Sequence, residues 1–252
     1  MSNTALSDKY FVFDELNNDK VMAVYSKKPM DFNTAVIGQE GRRRLYETIQ
    51  EDLQYRFRKA ARVSQVHGDR VVIVNEENLD DVIGEADGLL TDLKGVSLEI
   101  RTADCQSIFL YDPVRGVIGN VHSGWKGTLQ GIAVKAVDLM IRAYGCRAED
   151  IEAYINPSIL KESFEVEDDV IGQFRAVVDV EKYAEPTGIV DGRQKYHMDT
   201  AAINRDALTA AGLRPENIHE SGIDTVTHRD VYHSYRGDAH AAGRNGSLIC
   251  LR

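Results

Sequence analysis

The chain has 252 residues, enough to bury one large core or two closely packed halves, and 43% hydrophobic against 28% charged residues is the balance of a globular protein. A net charge of −10 argues against a general nucleic-acid or anionic-membrane surface. Three scattered cysteines, Cys105, Cys146 and Cys250, give no disulfide framework, and neither a signal-peptide pattern nor an apolar run of membrane-spanning length is present, so a cytoplasmic protein is expected.

In chain order, Tyr10 to Phe13 and Val21 to Tyr25 read as strands around an Asn-Asn-Asp turn, and residues 27–33 as a loop. Leu45, Ile49 and Leu53 recur on one face of a helix from about Gln39 to Phe57. Arg42, Arg43 and Arg44 lie early in it, where the macrodipole disfavours cations. They form a solvated face, or one of them turns inward to an anionic ligand or buried carboxylate. Ala61 to Val66 and Val71 to Val74 predict strands around His67-Gly68-Asp69, a polar segment runs from Asn75 to Asp81, and Val96 to Ile100 predicts another strand.

Ser107 to Tyr111 and Val117 to Val121 are two apolar strands joined by an Asp-Pro turn. A helix from Thr128 to about Tyr144 carries Leu129, Ile132, Ala133, Ala136, Val137 and Met140 on one stripe and stops at Gly145; Cys146 reads as a buried thiol. Ile151 to Ile155 predicts a strand, and Glu162 to Asp169 a solvated loop and helix start. Asp199 to Ala211 predicts a helix N-capped by Asp199, and Ile218 to Ile223 the last substantial strand before a polar tail. No linker or short repeat interrupts this order, and it is not a strict βαβ alternation. A single α+β unit over residues 1–252 is expected.

Reactive side chains flank the two central strands. Cys105 precedes the first, His122 follows the second, and His67 closes an earlier strand-like run. Separated by 38 and 17 residues, they make no compact clasp. The case rests on residue type, because two imidazoles and a thiolate suit Zn²⁺ and leave a fourth position open. The alternatives are a buried cysteine with two hydrogen-bonded loop histidines, or a Cys105 nucleophile with histidine as base. Asp104 carries protons if the strand has already turned, and is otherwise a structural acid. Lys126, between Gly124 and Gly127, sits at an anion-binding corner or at a plain chain reversal, and Trp125 is packing or a pocket wall. His228, His233, Tyr235, Arg236, His240 and Arg244 crowd one late segment. Their histidine spacing fits no standard clasp, so a second metal ranks below a polar substrate-binding or surface role.

Q-V-H-G around His67, A-D-G-L-L-T-D at 86–92, T-A-D-C at 102–105 and V-H-S-G-W-K-G at 121–127 together resemble the multicopper polyphenol oxidoreductase (laccase-domain) family, also called peptidoglycan-editing factor or purine nucleoside phosphorylase-like. The likeness continues through N-P-S-I at 156–159, D-G-R-Q-K-Y-H-M-D at 191–199, A-x-N-R at 202–205, and S-Y-R-G-D with A-G-R at 234–244. It implies a four-layer α/β/β/α fold with mixed sheets and a Zn²⁺ site of His67, Cys105 and His122, with copper ranked behind zinc. It also implies phosphorolysis of adenosine, inosine or guanosine and deamination of adenosine. In that reading Asp104 and Cys105 are catalytic, and Gly124, Lys126 and Arg244 bind substrate or phosphate. The expected partners are purine nucleosides and phosphate, with no nucleic acid and no membrane; monomer and homodimer are both open.

A conventional multicopper oxidase needs about ten histidine ligands. This chain has seven histidines, so copper polyphenol oxidation is not expected despite the family name. The runner-up functions are a metal-free cysteine hydrolase or amidase using Cys105 and His122, and a non-enzymatic binding protein tied to peptidoglycan maintenance. The chain departs from the family pattern in four places. S-K-K-P-M-D-F-N replaces the usual arginine- and glycine-rich loop, and Lys126 replaces an arginine. L-K-E-S-F-E-V stands for G-P-C-x-Y-E-V, and Asp224-Thr225 for Cys-Thr.

Overall fold

Two mixed sheets stack face to face in the computed structural model, which describes residues 8–80, 82–239 and 242–252. The first sheet takes β1 (Tyr10–Phe11), β2 (Val21–Ser26), β14 (Asn245–Leu251), β6 (Val96–Thr102) and β3 (Lys59–Arg62) in that order. The second takes β13 (Ile218–Glu220), β9 (Glu152–Ile155), β7 (Gln106–Asp112), β8 (Val117–Ser123), β5 (Gly88–Thr91) and β4 (Val71–Ile73). The pairs β3–β6, β4–β5 and β9–β13 are parallel and the others antiparallel.

Side-chain alternation explains the layering. Val21, Ala23, Ile249 and Leu251 of the first sheet meet Leu89, Phe109, Tyr111 and Ile118 of the second in one buried core. Their neighbours Met22, Val24, Leu248 and Cys250 face the opposite way, onto Tyr46 and Ile49 of α1 (Thr34–Asp52) and onto Leu53 just after it. Leu90, Ile108, Leu110 and Val121 meet α3 (Ile132–Tyr144) through Ile132, Ala136, Val137 and Met140, and α5 (Thr200–Ala210) through Leu208. Full burial of each such aliphatic side chain is worth about 1.5–3 kcal/mol. The result is the expected α/β/β/α arrangement. A small third sheet, β10 (Glu165–Glu167), β12 (Arg193–Met198) and β11 (Ala184–Val190), packs with α4 (Asp168–Arg175) over Val166, Phe174 and Met198. No helix among the described residues is long and apolar enough to cross a membrane.

Several expected elements changed. The helix expected from Thr128 is two pieces, α2 (Trp125–Leu129) and α3, because Gly131 takes a left-handed conformation (φ 71°) between them. The first helix starts at Thr34, bends at Gly38 and stops at Asp52. Glu162 to Asp169 does lead into a helix, α4, as expected, but the part read as a solvated loop includes the strand β10. The supposed polar tail holds β14, seven buried residues paired on both sides with β2 and β6. Asp199 caps α5 as expected, accepting the Ala202 N–H at 2.8 Å. Asp81, the end of the expected polar segment, lies outside the described residues.

Candidate metal centre

β7 and β8 pair in antiparallel register, with Ser107 opposite His122 and Gln106 opposite Ser123, so Cys105 and His122 meet at one end of the second sheet. His67 reaches them from the turn before β4. One ligand atom from each of His67, Cys105 and His122 lies within 4.8 Å of the others. Ligand atoms around a tetrahedral zinc stand about 3.5 Å apart, given bonds of about 2.0–2.3 Å. The imidazoles meet edge to face, with centroids 4.9 Å apart. Cys105 is partly exposed, His122 buried and His67 exposed. Gly124 closes the group: a Cβ there would stand 3.0 Å from Cys105 Sγ and 3.4 Å from His67 Cδ2. The three residues fit a metal ion.

Asp87, fully buried just before β5, organises two of these ligands. Its Oδ1 lies 2.7 Å from His122 Nδ1, leaving Nε2 as the nitrogen on the Cys105 side. Its two oxygens also accept the backbone N–H groups of Val66, His67 and Gly68 at 3.1, 3.0 and 2.8 Å. These bonds hold His67 at a positive φ of 58°. Burial alone would raise the Asp87 pKa, but the His122 and backbone hydrogen bonds bring it below the usual carboxylate value. Burial opposes thiolate formation at Cys105 as well, yet hydrogen bonds with His122 and His67 pull the thiol down to about 6. His122 is driven the other way, to about 9, because Asp87 and Cys105 outweigh its desolvation.

Two cavities meet at this group and share His67, Ala103, Cys105 and Tyr235. The larger, about 620 Å³, carries Asn33, Thr34, Arg101 and Arg244. Arg101 donates to Thr34 Oγ1 at 2.9 Å, and Arg244 donates to the carbonyls of Ala242 and Gly243 at 2.8 and 2.9 Å. The smaller, about 270 Å³, is walled by Trp125, Phe164 and Ile159 over Gln106 and Thr200. Beneath it Gln106 donates to Thr200 Oγ1 at 2.9 Å and accepts from Asn204 at 2.7 Å, a buried network that fixes the ends of β7 and β8 against α5.

The expected site residues divide. His67, Cys105 and His122 come together, and Gly124 and Arg244 line the cavities on either side. Asp104 lines the smaller cavity, but both its oxygens are occupied: Thr225 Oγ1 donates to Oδ1 at 2.7 Å and the Arg236 N–H to Oδ2 at 2.6 Å. With a backbone φ of 81°, its carboxylate anchors that loop at the edge of the cavity it shares with Cys105. Lys126 is exposed over the Trp125 ring, 5.5 Å from its centroid, and lines neither cavity.

The late histidines do not form a second centre among the described residues. His228 Nδ1 meets the Asp224 carbonyl and His233 Nε2 the Met30 carbonyl, while His240 lies outside the described residues. Two of the segments that depart from the family pattern meet each other, since Ser163 donates to Asp224. Asp87 and Arg101 were not singled out from the sequence. An acid directly before the apolar run G-L-L was the available sign of the first, because such a buried charge demands partners.

A Deinococcus radiodurans protein named purine nucleoside phosphorylase is 40% identical over 191 residues, 76% of this chain and 70% of that protein. A protein from an unknown prokaryotic organism named adenosine deaminase RL5 is 34% identical over 168 residues, 62% of either chain. The crystal structure of the hypothetical protein YfiH of Bacillus licheniformis superposes with a TM-score of 0.86 at 29% identity, over 97% of each chain. The sequence pattern of one family, described as multi-copper polyphenol oxidoreductase laccase, matches residues 32–252, and it is to this family that the chain belongs.

Proposed function

We propose that the protein is a zinc enzyme of purine nucleosides, cleaving adenosine, inosine or guanosine with phosphate and deaminating adenosine. The observation that carries this reading is the His67-Cys105-His122 group at the junction of a cationic and an aromatic cavity. The substrate class follows the names of the two relatives, purine nucleoside phosphorylase and adenosine deaminase. These three residues would hold zinc, which would supply Lewis acidity when bound.

The chain's own groups have distinct tasks. Asp87 keeps Nε2 of His122 directed at the group, and the lowered thiol pKa makes Cys105 an anionic ligand at neutral pH. Trp125 and Phe164 give a purine ring apolar faces to pack on. Arg101 and Arg244 offer phosphate two guanidinium groups across the shared opening. In phosphorolysis a phosphate oxygen bonds to the ribose carbon, the carbon–nitrogen bond to the base breaks, and the departing purine takes a proton. In deamination water adds at the amine-bearing carbon and ammonia leaves.

One observation favours a second reading: Cys105 beside His122, itself held by Asp87, is also the arrangement of a cysteine hydrolase. Metal content of the purified protein, with turnover of adenosine and inosine measured with and without phosphate, separates the two. Zinc near one equivalent and turnover abolished by chelation support the proposal. Turnover that survives metal removal, with an acyl group trapped on Cys105 from an added ester or amide substrate, overturns it in favour of the hydrolase.

A further inference from the structure

On the outer face of the first sheet, away from the metal-binding group, a cavity of about 170 Å³ opens between α1 and β3. It is lined by Gln39, Arg42, Arg43, Tyr46, Ala60 and Arg62. Gly38 breaks the helix with φ 64° and ψ −168°, so Gln39 opens a second helical segment and Arg42 falls within its first turns. Cations there oppose the macrodipole. Arg43 and Arg44 answer this at the surface by pairing with Glu40, and Arg43 also pairs with Glu47.

Arg42 does not. It is 7% exposed, and its buried Nε has no hydrogen-bond partner. The carboxylate beneath it is Glu99, also fully buried and opposite Arg62 in the β3–β6 register. Glu99 Oε2 accepts from Tyr46, while Oε1, 3.9 Å from Arg101 Nε, has no hydrogen-bond partner. One carboxylate thus faces the guanidinium groups of Arg42, Arg62 and Arg101. Burial first, and then the neighbouring Arg42 charge, press the Arg62 pKa downward against the pull of Glu99. A buried, unpartnered guanidinium donor is costly, and an oxyanion held between Arg42 and the half-buried Arg62 offsets that cost.

We propose that the Arg42–Arg62 cavity is a second oxyanion site, for inorganic phosphate or the phosphate group of a monoester, separate from the nucleoside site. The cavity has room for a phosphate group and is open on the outer side, where an ester substituent projects into solvent. The proposal does not depend on nucleoside chemistry, because none of its lining residues lines either cavity at the metal-binding group.

The test is thermal unfolding of the whole protein, Arg62→Gln and Arg244→Gln in rising inorganic phosphate, in rising methyl phosphate, and in chloride at matched ionic strength. A ligand of the folded state raises Tm with its concentration. The expected result is a phosphate-dependent rise in the wild type that persists in Arg244→Gln, falls in Arg62→Gln to the part the nucleoside site supplies, and is lost when both arginines are replaced. A rise with inorganic phosphate alone makes the free ion the occupant; a rise with methyl phosphate as well extends the site to monoesters. Because Arg42 is buried and its replacement endangers folding, wild-type crystals soaked in selenate supply the second measurement, with an anomalous peak expected between Arg42 and Arg62. An unchanged phosphate response in Arg62→Gln, or no peak beside Arg42, overturns the proposal. Either result stands whether or not nucleosides turn over.

Discussion

Asp87 Oδ1 lies 2.7 Å from Nδ1 of His122 and accepts the His67 backbone N–H at 3.0 Å, so one carboxylate sets the orientation of one candidate ligand and the backbone of another. Asp87→Asn is therefore expected to weaken zinc binding by about 10–100-fold, the usual cost of losing such a supporting partner. A competitive chelator titration measures it. Unchanged affinity would show that Asp87 serves the fold alone.

The thiol makes a pH prediction. In the metal-free protein Cys105 is held down to about 6 by His122 and His67, whereas Cys146 and Cys250 are pushed up to about 12, mainly by burial. Alkylation by iodoacetamide should rise through a midpoint near pH 6, because the reactive thiolate exists above that midpoint and is protonated below it. His122→Ala should move the midpoint upward. A wild-type midpoint at the ordinary thiol value would remove the charge pairing from the account.

Gly124→Ala probes space. The backbone there has φ −67° and ψ 171°, which alanine adopts without strain, but the new Cβ meets Cys105 Sγ at 3.0 Å. Zinc affinity should fall by about tenfold or more while Tm stays near that of the wild type. Metal analysis after dialysis, alongside a melting curve, gives both numbers.

Arg244→Ala and Lys126→Ala form a pair. Arg244 lines the larger cavity, and a charged hydrogen bond to phosphate is worth about 1.5–3 kcal/mol, so its loss should raise the phosphate KM by about tenfold or more with zinc retained. Lys126 lies out over Trp125, and its removal should leave that KM within about twofold. Initial rates over a phosphate series decide between them, and the reverse ranking would restore Lys126 as the phosphate ligand.

Asp104→Asn distinguishes an anchor from an acid. Asparagine keeps one acceptor for Thr225 or Arg236 and loses the other, a cost of about 1–3 kcal/mol in stability. If Asp104 only anchors that loop, activity should fall with an unchanged pH profile; a lost limb of the profile would make it a proton carrier.

The sequence exposed what sits beside long apolar strands. Cys105 and His122 flank runs whose alternation marks β7 and β8, and the registers of those strands bring the two together. Direction was harder to read. Lys126 lies in the first turn of α2, ahead of the helix start expected at Thr128, and spacing does not say that its ammonium lies over Trp125. Asp104 adjoins Cys105 in the chain, yet a left-handed backbone turned its carboxylate to Arg236. Of the two readings of the Arg42 to Arg44 run, each holds for different members: Arg43 and Arg44 are solvated, and Arg42 turns inward. The β14 strand escaped because its apolar run L-I-C-L is short and follows the polar N-G-S, whose burial comes from neighbours on both sides.

The position of β14 also sets an order of assembly. It is the last strand in chain order, yet it lies between β2 and β6, with Gly246 donating to a serine 220 residues earlier. Pairing so distant in sequence makes folding slow, because the loop must close before the contacts that reward it can form. A growing chain that has not reached Asn245 leaves β2 and β6 with bare facing edges, open to pairing with other chains. Cys105 lies just beyond the β6 end of that gap, so the first sheet closes behind the metal-binding group only after almost the whole chain has been made.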